Sequence, residues 1–531
     1  MKKSMFVVSI FVIVAMLVSC TPKTVETPAT APVEATTAPV EGPYIAPKVI
    51  VAVAGDPSNL GPFVGMSMGR IGVLTTIYEY LFYQVGPELK PYIAKSFEKV
   101  GDKAYDVTIF ETVTDSAGNH VTAADVAYSY NTGMTLGNLR PLGDIESVSV
   151  KSDYVVEFVT KEVQGPGGIE KILVECPIVS QKAYEASPDQ MATKPITTAA
   201  YVLTEYVPGS SLTFERRADY WQKDSAMSPV VAKSNVQTAV FQIISEPAQH
   251  TVALQTGSAD ISTSVPGSDV SLFEGKAGFT VLRKMDNLTN VLAFNGTEGN
   301  PFASKELRQA VSYAIDRKAL CDAIAPGACN PSHEIGNSNF IGYVTKWDTE
   351  PYYEFDLAKA KELYAASGAP ANLTVTLLAQ SQPPSTGLVC QVIQADLQAL
   401  GITVNIVQVD PPVFNTEKTI ADKWDLSLDA AAGGDFVFSP WKLMFDQNRY
   451  NGTTSNWFKD DKLQALMDTA SADATFNDAN VDAAWQYIKE QDYMQGLFSY
   501  VNNIVSVSSV TSVFLDGRGF VVPGACEYAK P

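Results

Sequence analysis

Histidine is scarce in this chain: His120, His250 and His333 are spread over 531 positions. There is no H-E-x-x-H pair and no C-x-x-C pair, so a zinc or nickel cage would have to be assembled from distant segments. The phosphate-cradling patterns G-x-x-x-x-G-K-[ST] and G-x-G-x-x-G are absent as well, which removes nucleotide hydrolysis and dinucleotide binding from the expectation. No cofactor and no metal are expected. Cations are also few. Lys and Arg number 38 against 58 Asp and Glu, a formal charge of −20 that repels phosphate backbones and argues against a nucleic-acid partner. After the first twenty residues no apolar run approaches the roughly 20 residues a membrane-crossing helix needs.

Those first residues have a pattern of their own. Lys2 and Lys3 precede a run from Met5 to Val18 that is apolar except for Ser9, the order of a secretory signal at 1–19. The run ends Leu17-Val18-Ser19-Cys20, which has the form of a bacterial lipobox, with cleavage before Cys20 and a diacylglycerol on its thiol. Lipid chains hold a protein on a membrane face because each buried methylene contributes about 0.8 kcal/mol. From Thr21 to Gly42, Thr, Pro and Ala supply 14 of 22 residues and no aromatic appears, so 20–43 reads as a lipidated cysteine followed by an extended, solvated tether. The mature chain is therefore expected outside the cell membrane, periplasmic or extracellular, and anchored by its N-terminal lipid.

Roughly 490 residues remain, enough for two or three core-forming units of about 100 to 200 residues. Their composition is globular, 46% apolar and 18% charged over the whole chain. Five cysteines follow Cys20. Cys321 and Cys329 are close in sequence in an exported chain and are candidates for a small disulfide loop contributing about 2 to 3 kcal/mol; pairing of Cys176, Cys390 and Cys526 cannot be read.

One catalytic pattern appears. GMSMG, Gly65 to Gly69, fits G-x-S-x-G with Ser67 as nucleophile. A nucleophile elbow needs a strand feeding the turn, whereas DPSNLGPFV before it carries Pro57 and Pro62 and reads as loop. An exported serine hydrolase stays as the enzyme alternative, and a sensory binding protein as another; the main expectation is a chain that holds a solute and is not an enzyme.

Periodicity places the layers. Between Leu373 and Ala430, LTVTLLA reads as a strand, and Leu388, Val392, Ile393, Leu397 and Leu400 recur at helical spacing until Gly401. ITVNIVQV then alternates and WDLSLDA follows, which together describe an α/β layer. Ser304 caps a helix with Leu307, Ala310, Val311, Ala314 and Ile315 on one face, Asp356 caps another ending near Gly368, and Thr122 with Asp125 forms a capping box opening a helix toward Met134. The stretch LDAAAGGDFVFSP, Leu428 to Pro440, strings small residues together before one carboxylate, Asp435, just past a strand end, where open α/β sheets expose ligand crevices.

The segments IYEYLF, PYIAKSFE, HVTAADVAYSY, FERRADYW, LQTGSADI, LAFNGTEGNPFASKELRQAVSYAIDRKAL, FDLAKAKELYAASG and LQALGITVNI, in this order from about Ala46 onward, resemble the extracellular solute-binding proteins of family 5 (cluster C), the oligopeptide- and dipeptide-binding components of ABC importers. The resemblance implies a periplasmic-binding-protein type II-like α/β fold, two lobes built from three domains with a hinge and an interlobe cleft. Domain I would comprise 44–71, 195–285 and 499–531, domain II 72–194 and domain III 286–498. It also implies ABC permease subunits as partners, a monomer, and an aspartate that pairs with a peptide's α-amino group. Asp435 falls at that position, with Ala431, Ala432, Gly433 and Gly434 letting ligand backbone approach as an added strand.

Two departures qualify the ligand. The bulky Trp before the aspartate is replaced by Ala and Gly, and in PITTAAY, Pro195 to Tyr201, Thr197 and Ala199 stand where relatives tend to carry glycine. An oligosaccharide is the alternative ligand, with Trp441 and Trp457 offered for ring stacking and Asp429, Asp435 and Asn448 for hydroxyl bonds.

Overall fold

The computed structural model describes residues 44–531 apart from 65–67, 86–87, 225–226, 228–231, 287, 351, 384, 433–435, 448–457 and 473. The leader, Cys20 and the tether lie outside the described residues, as do Ser67, Gly433, Gly434, Asp435, Asn448 and Trp457.

Apolar alternation builds one mixed sheet of twelve strands. Across it the order is Thr403–Val409, Thr374–Gln380, Leu426–Ala432, Leu288–Phe294, Met494–Val507, Ile261–Ser262, Ala46–Val53, Val236–Ile243, Ser211–Arg216 and Tyr201–Val207, with Phe279–Met285 and Cys329–Pro331 also paired to Met494–Val507. Parallel pairs lie on both sides of the sheet's centre. Thr374–Gln380 and Thr403–Val409 are parallel and linked by the helix Ser385–Leu400, while Ala46–Val53 runs parallel to Val236–Ile243 and to Ile261–Ser262.

The middle of the sheet is a long antiparallel ladder. The chain from Phe279 to Ala293 follows Met494–Val507 almost end to end, Phe279 opposite Val507, Lys284 opposite Asn502 and Ala293 opposite Met494, with a register shift between Asn290 and Val291. At mid-ladder the Asp286 N–H donates to the Tyr500 carbonyl at 2.8 Å. Asn337 Nδ2 and Asn339 Nδ2 hold the Asp286 and Met285 carbonyls at 2.8 and 3.0 Å.

A second sheet, antiparallel, orders Ala94–Lys99, Ala104–Ile109, Val155–Thr160 and Ile145–Ser152. Two of these strands bury every other residue, and the buried face receives the helix Ala123–Leu136, where Tyr130 meets Phe158 edge-on at 4.8 Å. That helix opens with the Thr122/Asp125 capping box and stops at Gly137, whose φ of 71° only glycine adopts without strain. Segments outside both sheets are tied by buried polar contacts: the Glu79 carboxylate accepts from Tyr220 Oη at 2.5 Å and Trp221 Nε1 at 2.9 Å. Arg217 beneath it gathers the carbonyls of Asp115, Thr198 and Ala199, the PITTAAY stretch among them.

The expected caps of Ser304 on Lys305–Ala314 and Asp356 on Leu357–Ala366 are present. Leu307, Ala310, Val311, Ala314 and Ile315 all lie in the core. The helix Ser385–Leu400 differs in detail. Its buried stripe is Val389, Cys390, Ile393, Leu397 and Leu400, whereas Leu388 is 40% exposed, because Cys390 packs inward and turns Leu388 to the rim. Cys321 and Cys329 form the disulfide, with Cα atoms 5.2 Å apart; Cys176, Cys390 and Cys526 are buried thiols.

Candidate functional site

Two regions are candidates for the site. The first is the Ala-rich strand Leu426–Ala432. One edge pairs with Leu288–Phe294 along its whole length, Leu426 opposite Phe294 through Ala432 opposite Leu288. Its other edge pairs with Thr374–Gln380 only at Leu426 and Ser427, so among the described residues no strand covers 428–432 on that side. A strand edge left open next to Gly433 and Gly434 has the form that backbone addition requires. Ala431 is fully buried. The backbone of Ala432 closes the strand, and Gly433, Gly434 and Asp435 lie outside the described residues.

Two residues from the sequence reading are placed otherwise. Trp441 has no exposed surface: it stacks on Trp485 with centroids 5.6 Å apart, lies 6.1 Å from Trp347, and its Nε1 donates to the Ile335 carbonyl at 2.8 Å. No face remains for a sugar ring, because the helix Phe438–Phe445 turns this side chain into the core. Asp429 is committed to Lys418, Oδ2 to Nζ 2.8 Å, with both side chains largely buried. Its other oxygen accepts from the Ala430 N–H at 2.9 Å.

The second region is a cavity of about 200 Å3 beside the central ladder. Its floor is Val53, Ala54, Gly55, Thr263 and Ser264, the carboxyl ends of the parallel strands Ala46–Val53 and Ile261–Ser262. The ladder supplies Lys284, Met285, Asp286, Asn502 and Ile504 as one wall, and Arg518 to Val521 close the far side. That closing turn is preorganised by Asp516. Its Oδ1 accepts from the Arg518 and Phe520 N–H groups at 3.0 and 2.8 Å, and Gly519 has a φ of 88°. Burial raises the Asp516 pKa despite these bonds.

The charges at this cavity are unevenly matched. Arg518 donates to Glu175 at 2.9 Å. Lys284 is half-buried, its stem laid across Gly519, and among the described residues its Nζ has one hydrogen-bond partner, Asn339 Oδ1 at 3.0 Å. Burial holds this ammonium below the ordinary lysine value. The cavity was not visible from sequence, since it gathers seven remote segments; DGRGF, Asp516 to Phe520, was the one local turn signal pointing to it.

A further contact links the two sheets. After the strand Val155–Thr160, the loop Gly165-Pro166-Gly167-Gly168 lies against Phe436 and the Ser471 carbonyl, so closely that a Cβ on Gly167 would overlap the Phe436 ring. Phe436 itself stacks on Phe438 at 5.2 Å and meets Phe476 edge-on at 5.4 Å.

For the hydrolase alternative, Ala54 to Val64 holds no strand that could feed an elbow. Among the described residues the one Ser–His hydrogen bond joins His250 Nδ1 to Ser262 Oγ at 2.8 Å, both buried, with Nε2 donating to the Ile244 carbonyl at 2.9 Å. This pair sits in the core and ties a helix to a strand. No cluster of three His, Cys, Asp or Glu suited to a metal ion occurs among the described residues, and none of their helices is long and apolar enough to cross a membrane.

Comparison with known proteins bears on the fold and the family. The chain is 23% identical over 75% of its length to "Di/tripeptide-binding protein 3" of Pseudomonas aeruginosa, covering 70% of that protein. Among solved structures it resembles HbpA2 of Haemophilus parasuis with a TM-score of 0.79 at 18% identity, over 91% of this chain and 100% of that one. It also resembles the oligopeptide-binding protein AppA of Bacillus subtilis, solved with a nonapeptide, with a TM-score of 0.68 at 18% identity, over 92% of this chain and 100% of that one. The fold is thus the mixed α/β type II periplasmic-binding-protein fold. The model of the bacterial extracellular solute-binding proteins, family 5 Middle, matches residues 88–453, more than half of the sequence, and the chain belongs to that family.

Proposed function

We propose that this chain captures an extracellular solute, an oligopeptide before other classes, and presents it to an ABC permease while a lipid on Cys20 keeps it beside the membrane. The observation that carries the reading is the position of the cavity, at the carboxyl ends of parallel strands and against the ladder that joins the two halves of the large sheet. Open α/β sheets bind ligands at such strand ends. The uncovered edge at 428–432 supports a peptide in particular, because it offers backbone groups to a second backbone. In this reading Asp435 pairs with the peptide's α-amino group. The alternative of an oligosaccharide loses the stacking support of Trp441, whose ring is covered.

Protein purified from its own host and sprayed under native conditions should carry co-purified peptide, and a tripeptide library should raise its unfolding temperature. Ligand at 100 times its Kd stabilises by about 2.7 kcal/mol. In the Asp435→Ala variant, peptides with a free amino group should bind orders of magnitude more weakly, since an unpaired buried charge costs about 3 to 5 kcal/mol. Retention of a sugar and indifference to every peptide would overturn the assignment.

A further inference from the structure

The cavity holds a cation that the fold does not neutralise. Lys284 is one of the two residues facing each other at mid-ladder, opposite Asn502, and both line the cavity. An ammonium has three N–H donors. Among the described residues one of them is taken, by the neutral amide oxygen of Asn339, and no carboxylate lies within 4 Å of Nζ. The neighbouring cations are treated differently: Arg283 is paired with Glu274 at 2.7 Å and Arg518 with Glu175 at 2.9 Å. Half-burying a cation without a counter-charge is unfavourable, and the cost is recovered when an anion arrives in the same partly dry space.

The setting fixes where that anion would sit. Lys284 cannot swing freely, because its stem crosses Gly519 at 3.6 to 3.8 Å from where a Cβ would stand, and the 516–520 turn beneath is braced by Asp516. Thr263 and Ser264 also line the cavity, the Thr263 hydroxyl donating to the Ala52 carbonyl at 3.2 Å, and Asp286 lines the wall as the one carboxylate. The wider field selects further. A chain of net charge −20 repels polyanions, which favours a solute with a single carboxylate over one with several.

We propose that Lys284, with Arg518 lining the same cavity, is the subsite that receives a carboxylate of the bound solute, the far end of a zwitterion. The proposal rests on reading the chain as a solute receptor, and its test separates the two. Binding of a tripeptide library with free C-termini is compared with the same library as C-terminal amides by native mass spectrometry, on wild type, Lys284→Met and Lys284→Arg. Wild type should hold the acids roughly 10- to 100-fold more tightly than the amides, the advantage of a charge-assisted hydrogen bond. Lys284→Met should lose that preference and Lys284→Arg should keep it. An acid preference that survives Lys284→Met, or acids and amides bound alike by wild type, overturns the subsite. If neither library binds, the peptide reading fails by itself and the subsite is judged by amine acylation with mass-spectrometric readout in the presence of acetate. Slower labelling of Lys284, with exposed Lys318 unchanged, then upholds it, and unchanged labelling of Lys284 overturns it.

Discussion

Gly167 carries the contact between the loop Gly165–Gly168 and Phe436, and Gly167→Ala is the substitution with the most readable outcome. Two costs arise. The residue has a φ of 71°, a left-handed conformation that costs an L-residue about 1 to 2 kcal/mol. The added methyl also overlaps the Phe436 ring, so the ring must leave its place between Phe438 and Phe476. Aromatic pairs of that kind contribute about 0.5 to 1.5 kcal/mol each beyond their buried area, which adds about 1 to 2 kcal/mol when both are weakened without being lost. The total should be about 2 to 4 kcal/mol by urea unfolding. The two costs separate in a double-mutant cycle with Phe436→Ala: in that background only the backbone cost remains, leaving a coupling of about 1 to 2 kcal/mol. A coupling below about 0.5 kcal/mol would refute the reasoning, since it would mean that ring and glycine are not packed against one another in solution.

Arg308 is buried and donates to the carbonyls of Phe302 at 2.8 Å, Gln491 at 2.7 Å and Asp492 at 2.9 Å, with its guanidinium 4.9 Å from the Phe458 centroid. Arg308→Met should cost about 3 to 5 kcal/mol by chemical unfolding, and Arg308→Lys a large part of that, because an ammonium cannot reproduce the fork. Glu334 and His333 predict opposite pH effects. Burial pushes the Glu334 carboxyl up to about 7, so its contribution to stability is complete below about 4.5 and is lost as pH rises through about 7. His333 is pulled down to about 4 by burial and by the Arg317 charge, so its contribution is complete above about 6.5 and is lost as pH falls through about 4. Glu334→Gln should therefore gain stability relative to wild type between pH 5 and 8 on the alkaline side, followed by unfolding midpoints across that range.

Local chemistry was legible and distant assembly was not. Ser304, Asp356 and the Thr122/Asp125 box could be read because a cap and its first turn lie within four residues of each other. The Cys321–Cys329 pairing was legible because the two lie eight positions apart in an exported chain. Leu388 misled because spacing alone cannot tell a core stripe from its border when Cys390, a small apolar residue, competes for the interior. Trp441 looked available because its cover, Trp485, stands 44 positions later on another helix. Asp429 looked free for the converse reason, since Lys418 reaches it from the preceding helix across a turn. The cavity needs Val53, Thr263, Lys284, Asn502 and Gly519 at once, and no window of sequence contains two of those strands and the turn.

The paired run of 279–293 along Met494–Val507 has a mechanical meaning. Two strands that zip to each other resist bending at every rung, as a leaf spring does and two slack cords do not. The slip in register between Asn290 and Val291 is the soft spot in that spring, and it lies opposite Ala430 and Asp429, in the strand whose far edge is uncovered.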